Sequence, residues 1–236
     1  VEQTLLQALN AERQARRAVI RLTALDGTDD RLVREGETID GPLAPIVEAA
    51  FRRGTSRMEE VEGGSYFLNV HVPPPRIVVI GAVHISQALA PMAALAGYDL
   101  TIIDPRTAFA TQERFAGTQL FADWPEDVLK DMPLDRYTAL VAVTHDPKID
   151  DDPIKAALEA GCFYVGALGS RKTHGKRLER LGEAGVSEDA ASRIKAPIGL
   201  DIGAASPGEI AVAILAEIIE SLRRRPLVAP SGSAGG

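Results

Sequence analysis

The chain has 236 residues, enough for one large domain or for a medium domain with a small partner. It is 45% hydrophobic and 25% charged, as an ordinary globular protein is, and its formal charge of −7 gives no electrostatic reason to expect nucleic acid. The single cysteine, Cys162, excludes an internal disulfide framework and a cysteine-rich metal site, while no apolar run approaches a membrane span and no leader pattern opens the sequence, so a cytoplasmic enzyme or binding protein is expected.

Residues 1–72 predict a small α/β domain. A helix is expected from Glu2 to Arg17, a strand from Ala18 to Leu25, a turn at Asp26-Gly27, a second helix from Leu43 to Arg53 and an alternating strand from Tyr66 to Val72. Pro73-Pro-Pro75 cannot be helical and reads as a stiff extended linker, which places the domain boundary there. From Arg76 the pattern changes to strand–helix alternation. Strands are expected at 76–80, 99–103, 118–121, 138–143 and 162–167, and helices near 84–96, 125–131, 153–160, 171–184, 187–193 and 207–224. That alternation predicts a Rossmann-like, doubly wound parallel sheet over 76–225, covered on both faces. Ser206, Pro207 and Glu209 form a capping-box start for the last helix, and 226–236 reads as a flexible tail.

The run Arg76-Ile-Val-Val-Ile-Gly81 leads into a helix, and Asp104 closes the next apolar run, Leu100-Thr-Ile-Ile103. This is the order of a dinucleotide-binding βαβ unit, in which a glycine turn and a helix N-terminus hold a pyrophosphate and an acid meets a ribose. The pattern asks for glycine at 81, 83 and 86, where this chain has Gly81, Val83 and Ser86. Ser86 is small enough for close helix–strand packing, but Val83 puts a branched side chain on the pyrophosphate path. The fold is therefore better supported than NAD(P), for which Asp104 favours NAD and Arg106 blurs the choice.

Ligands of such a sheet bind where strand order reverses. With the usual order, the first and fourth strands of the second domain meet there, and their exits carry Gly81 to His84 and Thr144-His145-Asp146. His84 and His145 are thus expected at one crevice, able to donate to phosphate, to act as acid or base, or to bind metal; the plainer alternative is that each hydrogen-bonds a nearby carbonyl. Gly169, Ser170 and Arg171 open a basic helix and suit an anion, although a tight turn before a solvated helix would read the same way. Gly199-Leu-Asp201-Ile-Gly203 reads as a constrained loop lining the crevice, with a structural turn as its alternative. The acids Asp146, Asp150, Asp151 and Asp152 read as a solvated loop rather than a metal site, with Asp152-Pro153 starting a helix. Cys162 reads as a buried structural thiol.

Taken together, six stretches resemble the XdhC/CoxI-type family of accessory proteins for xanthine dehydrogenase and related molybdenum hydroxylases. They are Gly81 to Pro91, Asp104-Pro-Arg106, Phe109 to Phe115, Thr144-His-Asp146, Gly166 to Arg171 and Ile198 to Ala204, spread in order over roughly residues 76–222. The resemblance implies a factor that binds the molybdenum cofactor (molybdopterin or its cytosine dinucleotide), shields it during sulfuration and hands it to an apo molybdenum hydroxylase. It further implies a cysteine desulfurase as partner and a homodimer, the commonest assembly. Carried over position by position, the cofactor-binding candidates are Gly81, His84, Asp104, Thr144, His145, Gly169, Ser170, Arg171 and Asp201. Many members carry a glycine-flanked cysteine in the N-terminal domain; no cysteine precedes Cys162 here, which excludes thiolate ligation from residues 1–72. The competing expectations are an NAD(P)-dependent oxidoreductase using the same crevice and a partner-docking scaffold.

Overall fold

In the computed structural model, which describes residues 3–62 and 64–225, the chain divides into two units. The first runs to Pro73 and takes in Arg225; the second is Pro74–Arg224. The flexible tail expected at 226–236 lies outside the described residues. No helix among the described residues is long and apolar enough to cross a membrane.

The first unit contains α1 (Gln3–Gln14), β1 (Val19–Ala24), β2 (Asp30–Arg34), α2 (Ala44–Arg53), β3 (Arg57–Val61) and β4 (Gly64–His71). Its strands form one antiparallel sheet in the order β2-β1-β4-β3. The two inner strands carry the apolar alternation that the sequence shows. The edge strands β2, Asp-Arg-Leu-Val-Arg, and β3, Arg-Met-Glu-Glu-Val, are absent from the sequence reading. Both are mostly exposed and heavily charged, which protects a sheet edge from pairing with another chain and also erases the hydrophobic signal of a strand.

The second unit begins with β5 (Arg76–Ile80), α3 (His84–Leu95), β6 (Asp99–Ile103), β7 (Gln119–Phe121), α4 (Pro125–Asp131) and β8 (Thr138–Ala142). It continues with α5 (Pro147–Glu159), β9 (Tyr164–Ala167), α6 (Arg171–Glu183), α7 (Glu188–Ser192), β10 (Ile194–Lys195) and α8 (Pro207–Arg224). All six strands are parallel, in the order β10-β9-β8-β5-β6-β7. Ile77 and Val79 of β5 pack with Leu89 of α3 and Ile214 of α8 on one face. Val78 and Ile80 pack with Ile154 of α5 and Leu181 of α6 on the other. Burial on both faces is why these strands read as unbroken apolar runs rather than alternating ones.

In the second unit, two element starts and one short strand differ from the sequence reading. α5 starts at Pro147, six residues before the expected Pro153, because Asp146 is a stronger start signal: its carboxylate accepts from the Lys148 amide at 3.0 Å and Pro147 follows at once. Asp150, Asp151 and Asp152 are therefore helical residues and not a loop. β9 begins at Tyr164 rather than at 162, since the Cys162 amide still serves the end of α5 by donating to the Ala157 carbonyl. The two-residue β10 is too short to announce itself. Cys162 itself is buried, and burial pushes its thiol up to about 12, so it is inert packing. The capping box of α8 forms as expected, with the Ser206 amide donating to Glu209 and the Glu209 amide to the Ser206 hydroxyl.

Candidate functional site

Strand order reverses between β5 and β8, so their C-terminal exits frame the crevice. At the β5 exit the backbone accepts only glycine. Gly81 has φ +121°, and a Cβ there would lie 3.0 Å from Thr144 Cγ2 and 3.3 Å from the Thr144 amide nitrogen. Gly81→Ala is expected to cost about 2–3 kcal/mol through strain and overpacking, read as a lowered urea midpoint; an unchanged midpoint would show that the two turns separate freely. Ser86 is fully buried and its hydroxyl donates to the Gly81 carbonyl at 2.5 Å. Val83 is extended at the N-cap position of α3 and packs against the core, leaving that helix start without a side-chain cap.

Asp104, at the β6 exit, is fully buried and saturated. One carboxylate oxygen accepts from the Ala82 amide at 2.7 Å and from Arg106 Nη2 at 2.8 Å; the other accepts from the Arg106 amide and Nε, both at 2.9 Å. Burial alone would raise its pKa, but the Arg106 guanidinium and the two amides outweigh it and hold the carboxyl below its ordinary range. Arg106 also lies over the Phe109 ring, 4.7 Å from its centroid. The acid that a dinucleotide site would turn toward a ribose is here an internal tie between the glycine turn and β6. Arg114 adds a second tie, donating to the Ala82 carbonyl at 3.0 Å and to Gln87 Oε1 at 2.9 Å.

The β8 exit is polar and strained. His145 is exposed at φ 66°, a left-handed conformation that costs a non-glycine residue about 1 kcal/mol or more. Beside it, Thr144 Oγ1 accepts from the Asp146 amide at 3.0 Å and donates to Asp150 Oδ1 at 2.8 Å. Asp150 is 1% exposed and its Oδ2 has no hydrogen-bond partner among the described residues. Burial pushes its carboxyl up to about 6, against the Thr144 hydrogen bond and the charge of Arg177.

The β9 exit turns at Gly169, φ +133°, where a Cβ would meet Thr173 Cγ2 at 3.1 Å. Ser170 then caps α6 by accepting from the Thr173 amide at 3.2 Å. Between α6 and the β8–α5 turn lies a cleft of about 320 Å³ lined by His145, Lys172, Thr173, Lys176, Arg177 and Arg180 among others. Arg180 is engaged by Asp151, at 2.5 and 3.1 Å. Arg177 is 2% exposed; its Nη2 donates to the Leu168 carbonyl at 3.0 Å, and its Nε and Nη1 have no hydrogen-bond partner among the described residues.

Residues 77–218 match the family model of the XdhC Rossmann domain. The chain belongs to that family. It is 33% identical over 199 residues to a probable xanthine dehydrogenase subunit of Bacillus subtilis, covering 84% of this chain and 58% of that protein. It is 33% identical over 146 residues to the molybdenum cofactor insertion chaperone PaoD of Escherichia coli, covering 62% of this chain and 40% of that protein. An uncharacterised Escherichia coli protein, YqeB, is 31% identical over 191 residues, covering 78% of this chain and 35% of its own length. The chain thus spans from about a third to just under three fifths of the curated relatives it matches. In fold it resembles the crystal structure of a xanthine dehydrogenase from Bacillus halodurans, with a TM-score of 0.61 at 22% identity, over all of this chain and 68% of that one.

In this XdhC Rossmann domain, Gly81 and Thr144 touch across the β5 and β8 exits, and His145 lines the cleft. Asp104 lies beneath the glycine turn. His84 is exposed in the first turn of α3, a helix that covers the other face of the sheet from α5 and α6. Gly169 and Ser170 shape the α6 start, while Arg171 is exposed and the cleft draws instead on Lys172 and Lys176. Asp201 is exposed in a loop fixed by Gly199, whose amide donates at 2.8 Å to Glu217 Oε2, which also accepts from the Tyr164 hydroxyl. The sequence reading misses Asp150 and Arg177. Both are signalled by helical spacing: Asp150 falls in the buried stripe of Ile154 and Ala157, and Arg177 stands four residues before buried Leu181.

Proposed function

We propose that this chain binds the molybdenum cofactor as cargo, protects it during sulfuration and delivers it to an apo molybdenum hydroxylase of the xanthine or carbon monoxide dehydrogenase type. The observation that carries the reading is the similarity to a named cofactor insertion chaperone in a family whose Rossmann crevice here offers cations to an anionic ligand. The saturation of Asp104 by Arg106 and two amides speaks against the NAD(P)-oxidoreductase alternative, because no lone acid is left to meet a ribose. In this reading the chain is a non-catalytic factor that works in the cytoplasm as a homodimer, receives its sulfur through a cysteine desulfurase, and carries molybdopterin or its cytosine dinucleotide form. Gly81, Thr144 and Asp104 hold the crevice in shape. His84, His145, Gly169, Ser170, Arg171 and Asp201 stand around the cargo.

His145→Gly separates function from folding. Glycine relieves the left-handed strain, so stability should hold or rise by up to about 1 kcal/mol. Reconstitution of a partner apo-hydroxylase with cofactor-loaded protein should nevertheless fall severalfold. Full reconstitution by this variant would remove His145 from cargo handling, and NAD-dependent turnover by the isolated chain would replace the reading with a dehydrogenase.

A further inference from the structure

We infer that the cleft between the β8–α5 turn and α6 is a phosphate-ester site with Arg177 as its floor. Guanidinium groups are rarely buried without partners, because a desolvated charge is costly unless it is paired and hydrogen-bonded. Arg177 is 2% exposed and lines the cleft; among the described residues its Nε and Nη1 make no hydrogen bond, and its ion pair with Asp151 is a long one, 3.9 Å from Nε to Oδ1. Asp151 is already committed to Arg180 through two hydrogen bonds. Nε and Nη1 point from different edges of the guanidinium, and Nη2, the prong that would pair with either, is held by the Leu168 carbonyl, so Arg177 acts on an anion in the cleft through its charge rather than as a two-pronged donor.

The rest of the wall fits the same ligand. Lys172 and Lys176 are exposed and one helical turn apart, so both ammonium groups can reach an anion seated on Arg177. Thr173 and His145 add further donors. Asp150, packed beneath Thr144, opposes an anion when ionised, but the cations lining the cleft outnumber it. A volume of about 320 Å³ accommodates a phosphate or diphosphate group and leaves the remainder of the ligand directed out of the cleft. The phosphate would thus be held at the β8 and β9 exits and not at the β5 glycine turn, which makes glycine at 83 unnecessary.

Assigning this phosphate to the cargo rests on the proposed function; the site itself rests on the cleft. Calorimetric titration with inorganic pyrophosphate tests the site directly. The wild-type chain should bind one equivalent, the Lys172→Ala/Lys176→Ala double variant should bind roughly tenfold or more weakly, and Arg177→Gln should lose binding. Circular dichroism checks that each variant is folded; the double variant changes exposed side chains, so the test survives if Arg177→Gln does not fold. No saturable binding by the wild type, or equal affinity in the double variant, overturns the site. The two readings fail separately. A wild type that binds pyrophosphate but not molybdopterin overturns the carrier function and leaves the phosphate site, whereas molybdopterin binding unchanged by the double variant overturns the assignment of the cargo's phosphate to this cleft and leaves the carrier function.

Discussion

Arg106→Ala is expected to lower the unfolding free energy by about 3 kcal/mol or more, because it leaves a buried carboxylate without its counter-charge. Asp104 is 0% exposed, and of its hydrogen bonds only those from the backbone amides of Ala82 and residue 106 would remain. Arg106→Lys should recover only part of the loss, since an ammonium cannot reproduce the two-pronged contact of Nε and Nη2. The folded carboxyl sits below its unfolded pKa, so this stability is fully present at neutral pH and is lost as pH falls through the folded value. Urea unfolding at pH 7 measures it. A loss under 1 kcal/mol would show that Asp104 is not ionised in the folded chain, and would reopen it as a ribose acceptor.

The opposite sign is expected at Asp150. Its carboxyl is pushed up to about 6 by burial, so the folded chain holds that proton more tightly than the unfolded chain does. Folding therefore takes up a proton between about pH 4 and pH 6, and stability falls as pH rises through that window. At neutral pH the ionised carboxylate costs on the order of 3 kcal/mol, with the attraction of Arg177 already counted. Asp150→Asn keeps an acceptor for Thr144 and removes the charge, so it should stabilise the chain by about 2–3 kcal/mol at pH 7.5 and by nothing below pH 4. Chemical denaturation across this range reads both numbers. Destabilisation at pH 7.5 would mean that Arg177 depends on the carboxylate. A destabilising buried acid beside a cationic cleft is the pattern of a site shaped for binding rather than for stability.

Much of the second unit is legible in the sequence because its strands are buried on both faces. Arg76–Ile80 carries an unbroken apolar run, Asp99–Ile103 carries one interrupted only at Thr101, and Ser206 with Glu209 marks the start of α8 at the residue level. What the sequence hides are elements whose position in the fold removes their signal. β2 and β3 are charged edge strands, and β10 is two residues long. In the crevice, Gly81 and Asp104 are visible as types but not as roles. Only the fold shows that Gly81 is pressed against Thr144 and that Asp104 is spent on Arg106, two residues ahead in the chain. The cleft is half visible: the basic start of α6 points to an anion, yet the sequence favours Arg171, while the fold brings Lys172, Lys176 and Arg177 to the cleft. Misplacing the start of α5 has the same consequence for Asp150, which a helix from Pro147 puts on the buried face.

Equilibrium titration of the purified chain with molybdopterin and, separately, with NAD tests the carrier account most directly. The account predicts saturable molybdopterin binding, competed by pyrophosphate, with no NAD binding at comparable concentrations. Saturable NAD binding without molybdopterin binding would contradict it.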